Sequence, residues 1–144
     1  MIVVDANLLL YVVNRDLPQH EAARAWWEGV LSRNTPVGLS WGVMLAFLRV
    51  STHPRIFERP LKVEAAAAYL DGWLAMPGVR TISPTPRHWE ILRPLLVQSG
   101  TGGNLTSDAH LAAMTIEYGG TLYSADNDFK RYAGLVHINP LDRP

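Results

Sequence analysis

Short apolar runs alternate along the chain with longer stretches in which apolar side chains recur every three or four positions. The short runs are rich in β-branched and aliphatic residues and predict strands at Ile2–Val4, Pro36–Leu39, Val79–Ile82, Thr121–Tyr123 and Val136–Ile138. The longer stretches predict helices. Leu17–Ser32 carries Ala22, Ala23, Trp26, Trp27 and Val30 near a 3.6-residue period. Trp41–Thr52 is apolar almost all round and should be buried. Lys62–Ala75 is alanine-rich and stops before the turn signal Pro77-Gly78. Pro86–Ser99 ends at Gly100, with a kink expected at Pro94. Asn104–Tyr118 is bracketed by Gly102-Gly103 and Gly119-Gly120. A short helix is expected over Asn127–Tyr132. The alternation describes an α/β fold with a mostly parallel five-stranded sheet.

The chain's 144 residues suggest one domain, spanning residues 1–144, without repeat, linker or low-complexity stretch. An apolar fraction of 48% excludes a disordered segment. The absence of cysteine excludes a disulfide framework and thiolate metal sites, and fits a reducing compartment such as the cytoplasm. The apolar N-terminus lacks a basic region, and Asp5 and Asn7 interrupt it, so it reads as a buried strand entering a helix, not as a signal peptide. No apolar run approaches the roughly 18–20 residues a membrane span requires. Thirteen basic residues balance thirteen acidic ones, which argues against a nonspecific nucleic-acid binder. A nuclease stays open, since a catalytic acidic cluster would offset basic residues around it.

Asp5 directly follows Ile-Val-Val and falls at the carboxyl end of a predicted strand, where open α/β sheets bind ligands. Equally, Asp5 or Asn7 serves as a helix cap. On the helix Asn104–Tyr118, steps of three and four place Asp108 on one face with Leu105, Ala112 and Ile116. Ser107, His110 and Glu117 lie opposite and suit solvent. Asp108 thus points to core or cleft, where an ionised carboxylate needs a cation or hydrogen bonds; a buried Asp–Arg pair is the plain alternative. Asp126 and Asp128 follow the strand Thr121–Tyr123, and alone they describe an ordinary Asp/Asn turn.

The three segments together say more than each does separately. They bring acids to one edge of one sheet, where mutual repulsion would raise their pKa values. A divalent cation resolves that conflict, and all-oxygen ligands suit Mg²⁺ or Mn²⁺. Zinc does not fit, because His20, His53, His88, His110 and His137 are scattered without ligand spacing; each reads as a surface or satisfied histidine.

Val-Val-Asp5-Ala-Asn7, the stretch from Gly103 through Asp108 to Ala113, and Ser124-Ala-Asp126-Asn-Asp128-Phe129 together resemble the acidic motifs of PIN domains, with Ser replacing the usual Thr at 124. The resemblance covers nearly the whole chain. Phe47-Leu-Arg49-Val, Thr52-His-Pro-Arg-Ile-Phe57 and Asn139-Pro140 extend it to the VapC toxins of VapBC toxin–antitoxin systems, especially a subgroup abundant in mycobacteria. It implies a PIN-like α/β/α sandwich and Mg²⁺-dependent (or Mn²⁺-dependent) endoribonuclease activity. Asp5, Asp108 and Asp126 would be catalytic and hold the ion, with Asp128 nearby. Asn7 and Ser124 would orient the carboxylates. Products would carry a 5′-phosphate and a 3′-hydroxyl. Most PIN domains carry a glutamate where this chain has Ala46, which puts a further acidic ligand in question.

The resemblance also implies a VapB-like antitoxin partner, packed into an apolar groove for which Leu9, Leu10, Trp26 and Trp27 are candidates, and self-association as a homodimer. Arg49, Arg55, Arg59 and Lys62 either grip RNA phosphates or form a solvated face; Arg49, on a mostly apolar helix, is also placed to pair with a site carboxylate. The tryptophans 26, 27, 41, 73 and 89 fall at helical positions and suit core or interface. Two other readings remain. One is a catalytically impaired PIN-fold module that binds RNA or protein. The other is a haloacid-dehalogenase-type phosphatase, which would want an aspartate where Asn7 stands.

Overall fold

The computed structural model of the chain describes residues 1–100 and 104–142. Five strands form one sheet: β1 (Ile2–Val4), β2 (Val37–Ser40), β3 (Val79–Ile82), β4 (Thr121–Tyr123) and β5 (His137–Ile138), in the order β3-β2-β1-β4-β5. Every neighbouring pair is parallel. The helices are α1 (Ala6–Val13), α2 (His20–Ser32), α3 (Trp41–Ser51), α4 (Val63–Leu74), α5 (His88–Ser99) and α6 (Asn104–Glu117), with a short 3-10 helix at Asn127–Arg131.

From β1 the chain steps outward to β2 and then β3, through α1–α2 and α3–α4. It then returns across the sheet to β4 through α5 and α6. Parallel crossovers are right-handed, so steps in opposite directions put their helices on opposite faces. The packing of α1 on α2 and α3, and of α5 on α6, agrees with those two layers. Strands buried on both faces are continuously apolar. Val3, Val4, Leu39 and Leu122 are fully buried, and Leu8, Leu9, Phe47 and Met114 close over them from the helices. Trp27 and Trp73 meet edge to face, with ring centroids 5.8 Å apart, inside the α1–α4 layer.

Local chemistry sets the element ends. Helix α2 begins at His20 instead of Leu17, because Leu17–Gln19 form a turn that includes Pro18. Helix α5 continues through Pro94, which sits on an exposed side where the carbonyl left without its partner can meet water. The turn that follows α6 passes through Gly119, whose φ of 61° few other residues adopt, and a Cβ on the next residue, Gly120, would lie 2.8 Å from the Met1 carbonyl. The expected start of that helix at Gly102-Gly103 lies outside the described residues. Among the described residues, no helix is long and apolar enough to cross a membrane.

Candidate active site

Strands β1 and β4 are adjacent, yet the chain leaves them in opposite directions across the sheet. Such a switch point opens a crevice at the strands' carboxyl ends. Asp5 stands there, one residue beyond β1, with its backbone N–H donating to the Tyr123 carbonyl at 3.0 Å. Its side chain has two roles at once. Oδ1 accepts the Ala6 N–H at 2.7 Å and caps α1, while Oδ2 accepts the Ser124 hydroxyl at 2.7 Å. Capping and a place in the cleft therefore do not exclude each other. A carboxylate has about four lone-pair sites, so Asp5 keeps capacity for a further ligand.

Ser124 is the hub of the loop after β4. Its fully buried hydroxyl donates to Asp5 and accepts from Asn7 Nδ2 at 3.2 Å and from the Asp126 N–H at 3.0 Å. Asn7 Oδ1 accepts the Ala125 N–H at 3.3 Å. Two residues from the end of the sheet complete the support: His137 Nε2 lies 3.0 Å from the Ser124 carbonyl, and Asn139 Nδ2 donates to the Ala125 carbonyl at 3.3 Å. Asp126 is aimed by these contacts, and its own Oδ1 accepts the Asp128 N–H at 2.9 Å.

A cleft of about 790 Å³ opens over this edge. Asp5, Asp108 and Asp126 all line it, together with Ser40, Ala46, Arg49 and His110. Ser40 ends β2 and caps α3, accepting the Val43 N–H at 3.2 Å. Burial pushes the Asp5 carboxyl above its ordinary range; hydrogen bonds from Ser124 and Ala6 oppose this, and the charge of Asp126 adds to it. Asp108 is raised to about 6, by desolvation first and then by the negative charges of Asp126 and Asp5. Arg131 partly offsets that rise and Asp128 adds a little to it. Asp128 itself is exposed at the rim, 3.7 Å from Arg131, and does not line the cleft.

Among the described residues, no three acidic or imidazole side chains stand close enough to enclose an ion as they are. The donor set nevertheless fits one. Three carboxylates from separate elements repel each other in a partly desolvated cleft, and a divalent cation among them would remove that repulsion. Ala46 lies half-buried on the cleft wall, so α3 supplies no acid there. Arg49 is exposed on the same wall, and among the described residues no ion pair holds it.

Several expectations change. Glu117 does not face solvent: its side chain is fully buried against His88 and Thr85. His110 is half-buried and lies 2.9 Å from His88, so two histidines that are distant in sequence are neighbours in space. Leu9 is fully buried in the core, Leu10 and Trp26 are partly buried, and Trp27, though buried, lines a pocket with Val12, Val13, Leu31 and Trp73. Trp41 and Trp89 are 55% and 63% exposed, unlike the core residues Trp27 and Trp73. Arg59 pairs with Asp16, and Arg55 and Lys62 are exposed. His137 and Ser40 also support the site, from positions the acidic motifs do not include. Ser40 carried a signal, as a serine directly before an apolar helical run; His137 carried none.

The PIN-domain family model matches residues 2–135. The chain is 42% identical to Ribonuclease VapC33 of Mycobacterium tuberculosis, over 98% of this chain and 99% of that protein. It is 44% identical to Ribonuclease VapC37 of the same organism, over 97% of each. Among solved structures, it is similar to M. tuberculosis VapC20, described as a Sarcin-Ricin loop cleaving toxin, with a TM-score of 0.71 and 23% identity over 97% of this chain and 100% of that one. VapBC2 from Rickettsia felis, bound to a promoter DNA fragment, also gives 0.71, at 22% identity over 96% and 98%.

Proposed function

The chain belongs to the PIN-domain family, among the VapC ribonucleases, and on that premise we propose that its acidic cleft is the active site of a metal-dependent endoribonuclease, the toxin of a toxin–antitoxin pair. The observation that carries this reading is the meeting of Asp5, Asp108 and Asp126, from three separate elements, in one cleft at the switch point of the sheet.

Asp5, Asp108 and Asp126 are the residues that would hold the ion, and their oxygen-only donor set suits Mg²⁺, with Mn²⁺ as a substitute. When bound, a divalent cation activates water as a nucleophile and neutralises charge on the phosphodiester. The chain's own residues do the rest. Ser124 and Asn7 fix the carboxylate of Asp5 and the loop that carries Asp126. Asp128 adds negative charge from the rim. Arg49 gives the RNA a cation on a wall otherwise facing carboxylates. The proposed partners are an RNA strand, a VapB-like antitoxin and a second copy of the chain. Trp41 and Leu45 on α3 offer exposed apolar surface beside the cleft for such association.

The test is cleavage of single-stranded RNA by the metal-stripped protein, with Mg²⁺, Mn²⁺ or EDTA added. Cleavage should require the ion and should be lost in Asp5→Ala and Asp108→Ala, as should growth arrest on expression. Binding of RNA without cleavage under any ion would instead select the impaired binding module.

A further inference from the structure

A second line of titratable side chains reaches the cleft from behind, through α5 and α6. It begins at Glu117, whose side chain is fully buried. Its Oε1 accepts both the backbone N–H and the hydroxyl of Thr85, each at 2.8 Å. Its Oε2 meets His88 Nδ1. Burial pushes this carboxyl up, but the hydrogen bonds from His88 and Thr85 outweigh burial and hold it below its ordinary range. His88 Nε2 then lies 2.9 Å from His110 Nδ1, with the two rings nearly perpendicular at 79°. His110 is the member of this line that lines the cleft, on the helix that also presents Asp108.

The hydrogen-bonding roles follow from the order of the groups. A carboxylate only accepts, so His88 Nδ1 must donate to Glu117. His88 Nε2 and His110 Nδ1 are committed to each other. Among the described residues, His110 Nε2 is the one of the four ring nitrogens without a protein partner, and its ring forms part of the cleft wall. Fully burying a carboxylate is costly unless its partners are well placed, and here those partners terminate at one imidazole edge on the cleft.

We propose that His110 is an RNA-contacting residue of this site, its Nε2 hydrogen-bonded to an oxygen of the sugar–phosphate backbone in the cleft, with His88 and Glu117 as positioning residues that fix its ring. The inference rests on the ribonuclease reading above. An imidazole suits the place because it adds a hydrogen-bonding group without adding negative charge to a cleft that already holds three carboxylates. With both rings neutral, His88 Nε2 accepts from His110 Nδ1 and His110 Nε2 is left as an acceptor, which a ribose 2′-hydroxyl, the group that distinguishes RNA from DNA, can donate to; a phosphate oxygen only accepts and can be the partner only where Nε2 carries a proton.

Steady-state cleavage of a single-stranded RNA by the full chain with Mg²⁺ tests this. One hydrogen bond that is equally present in the bound and reacting complexes appears in KM. His110→Ala should therefore raise KM by about three- to tenfold and change kcat much less. His88→Gln, which keeps a donor for buried Glu117 but not the reach to His110, should give part of that rise. The double variant should be no worse than His110→Ala alone, since a positioning residue acts only through the residue it holds. RNA carrying 2′-deoxy substitutions around the cut separates the two oxygens. If the hydroxyl is the partner, one deoxy position reproduces the KM rise in the parent and adds nothing in His110→Ala. If a phosphate is the partner, every deoxy position leaves the His110→Ala effect intact.

A folded His110→Ala protein with the parental KM would overturn the proposal while leaving the ribonuclease reading standing. Full additivity of the His88 and His110 effects would overturn the positioning role. A parent that cleaves no RNA removes both readings together.

Discussion

Asp108→Asn should make the ion-free protein more stable while abolishing its activity. Asp108 is half-buried beside Asp5 and Asp126, and its carboxyl is raised to about 6 from 3.8. A raised carboxyl is a destabilising one. Below the unfolded value the group is protonated in both states and contributes nothing. As pH climbs through the folded value the charge is forced onto a site that resists it, and the full penalty applies above about 6. A shift of about two pH units corresponds at face value to about 3 kcal/mol. Asp108 is substantially exposed, so solvent screening reduces this to about 1 kcal/mol. For a chain of this size that is about 3 °C in Tm. Thermal melts by circular dichroism in EDTA should show Asp108→Asn melting about 3 °C above the parent at pH 8 and level with it near pH 4. Added Mg²⁺ should reverse the order at pH 8 by stabilising the parent alone. An Asp108→Asn protein that melts lower than the parent at pH 8, or whose advantage is unchanged at pH 4, would refute the account of a self-repelling cleft.

Other outcomes follow from single contacts. Asp5→Asn and Asp5→Ala should both stop cleavage, but only the alanine variant should lose the α1 cap and about 1 kcal/mol of stability, as read by urea unfolding. Ser124→Ala removes the donor to Asp5 and the acceptor for Asn7 and Asp126; it should cost about 2 kcal/mol. Because that hydrogen bond lowers the Asp5 pKa, its loss should also move the acidic limb of the pH–activity profile to higher pH. Arg49→Ala should weaken RNA binding and reduce the salt dependence of log Kd by a slope of about one, in anisotropy titrations across a salt series.

The strands were readable because each is a short β-branched or aliphatic run with turn residues at its ends. Only the edges moved. Val136 is 57% exposed and falls outside β5, while Ser40 joins β2. Asp5 and Asp126 were readable because position just beyond a strand is itself a sequence property. Asp108 was readable from helical spacing, yet the same spacing misplaced Glu117 and His110. A helical wheel shows which residues share a face but not which face meets a neighbour, and α5 packs against the side assigned to solvent. Of the groove candidates Leu9, Leu10, Trp26 and Trp27, Leu9 goes wholly to the core, while Trp27 lines a pocket with Val12, Val13 and Trp73. Apolar residues on early helices mark burial, and only the assembled layers reveal which of them the core takes.

The loop that bears Asp126 is tethered on one side to Asn7 and on the other to His137 and Asn139. These anchors come from widely separated parts of the sequence, so the loop is fixed only by contacts that close long stretches of backbone. Contacts of such long range are expected to form late in folding, so the acids should meet only once β5 has docked. A chain cut between Ser124 and His137 should therefore lose cleavage even where its other strands stay paired.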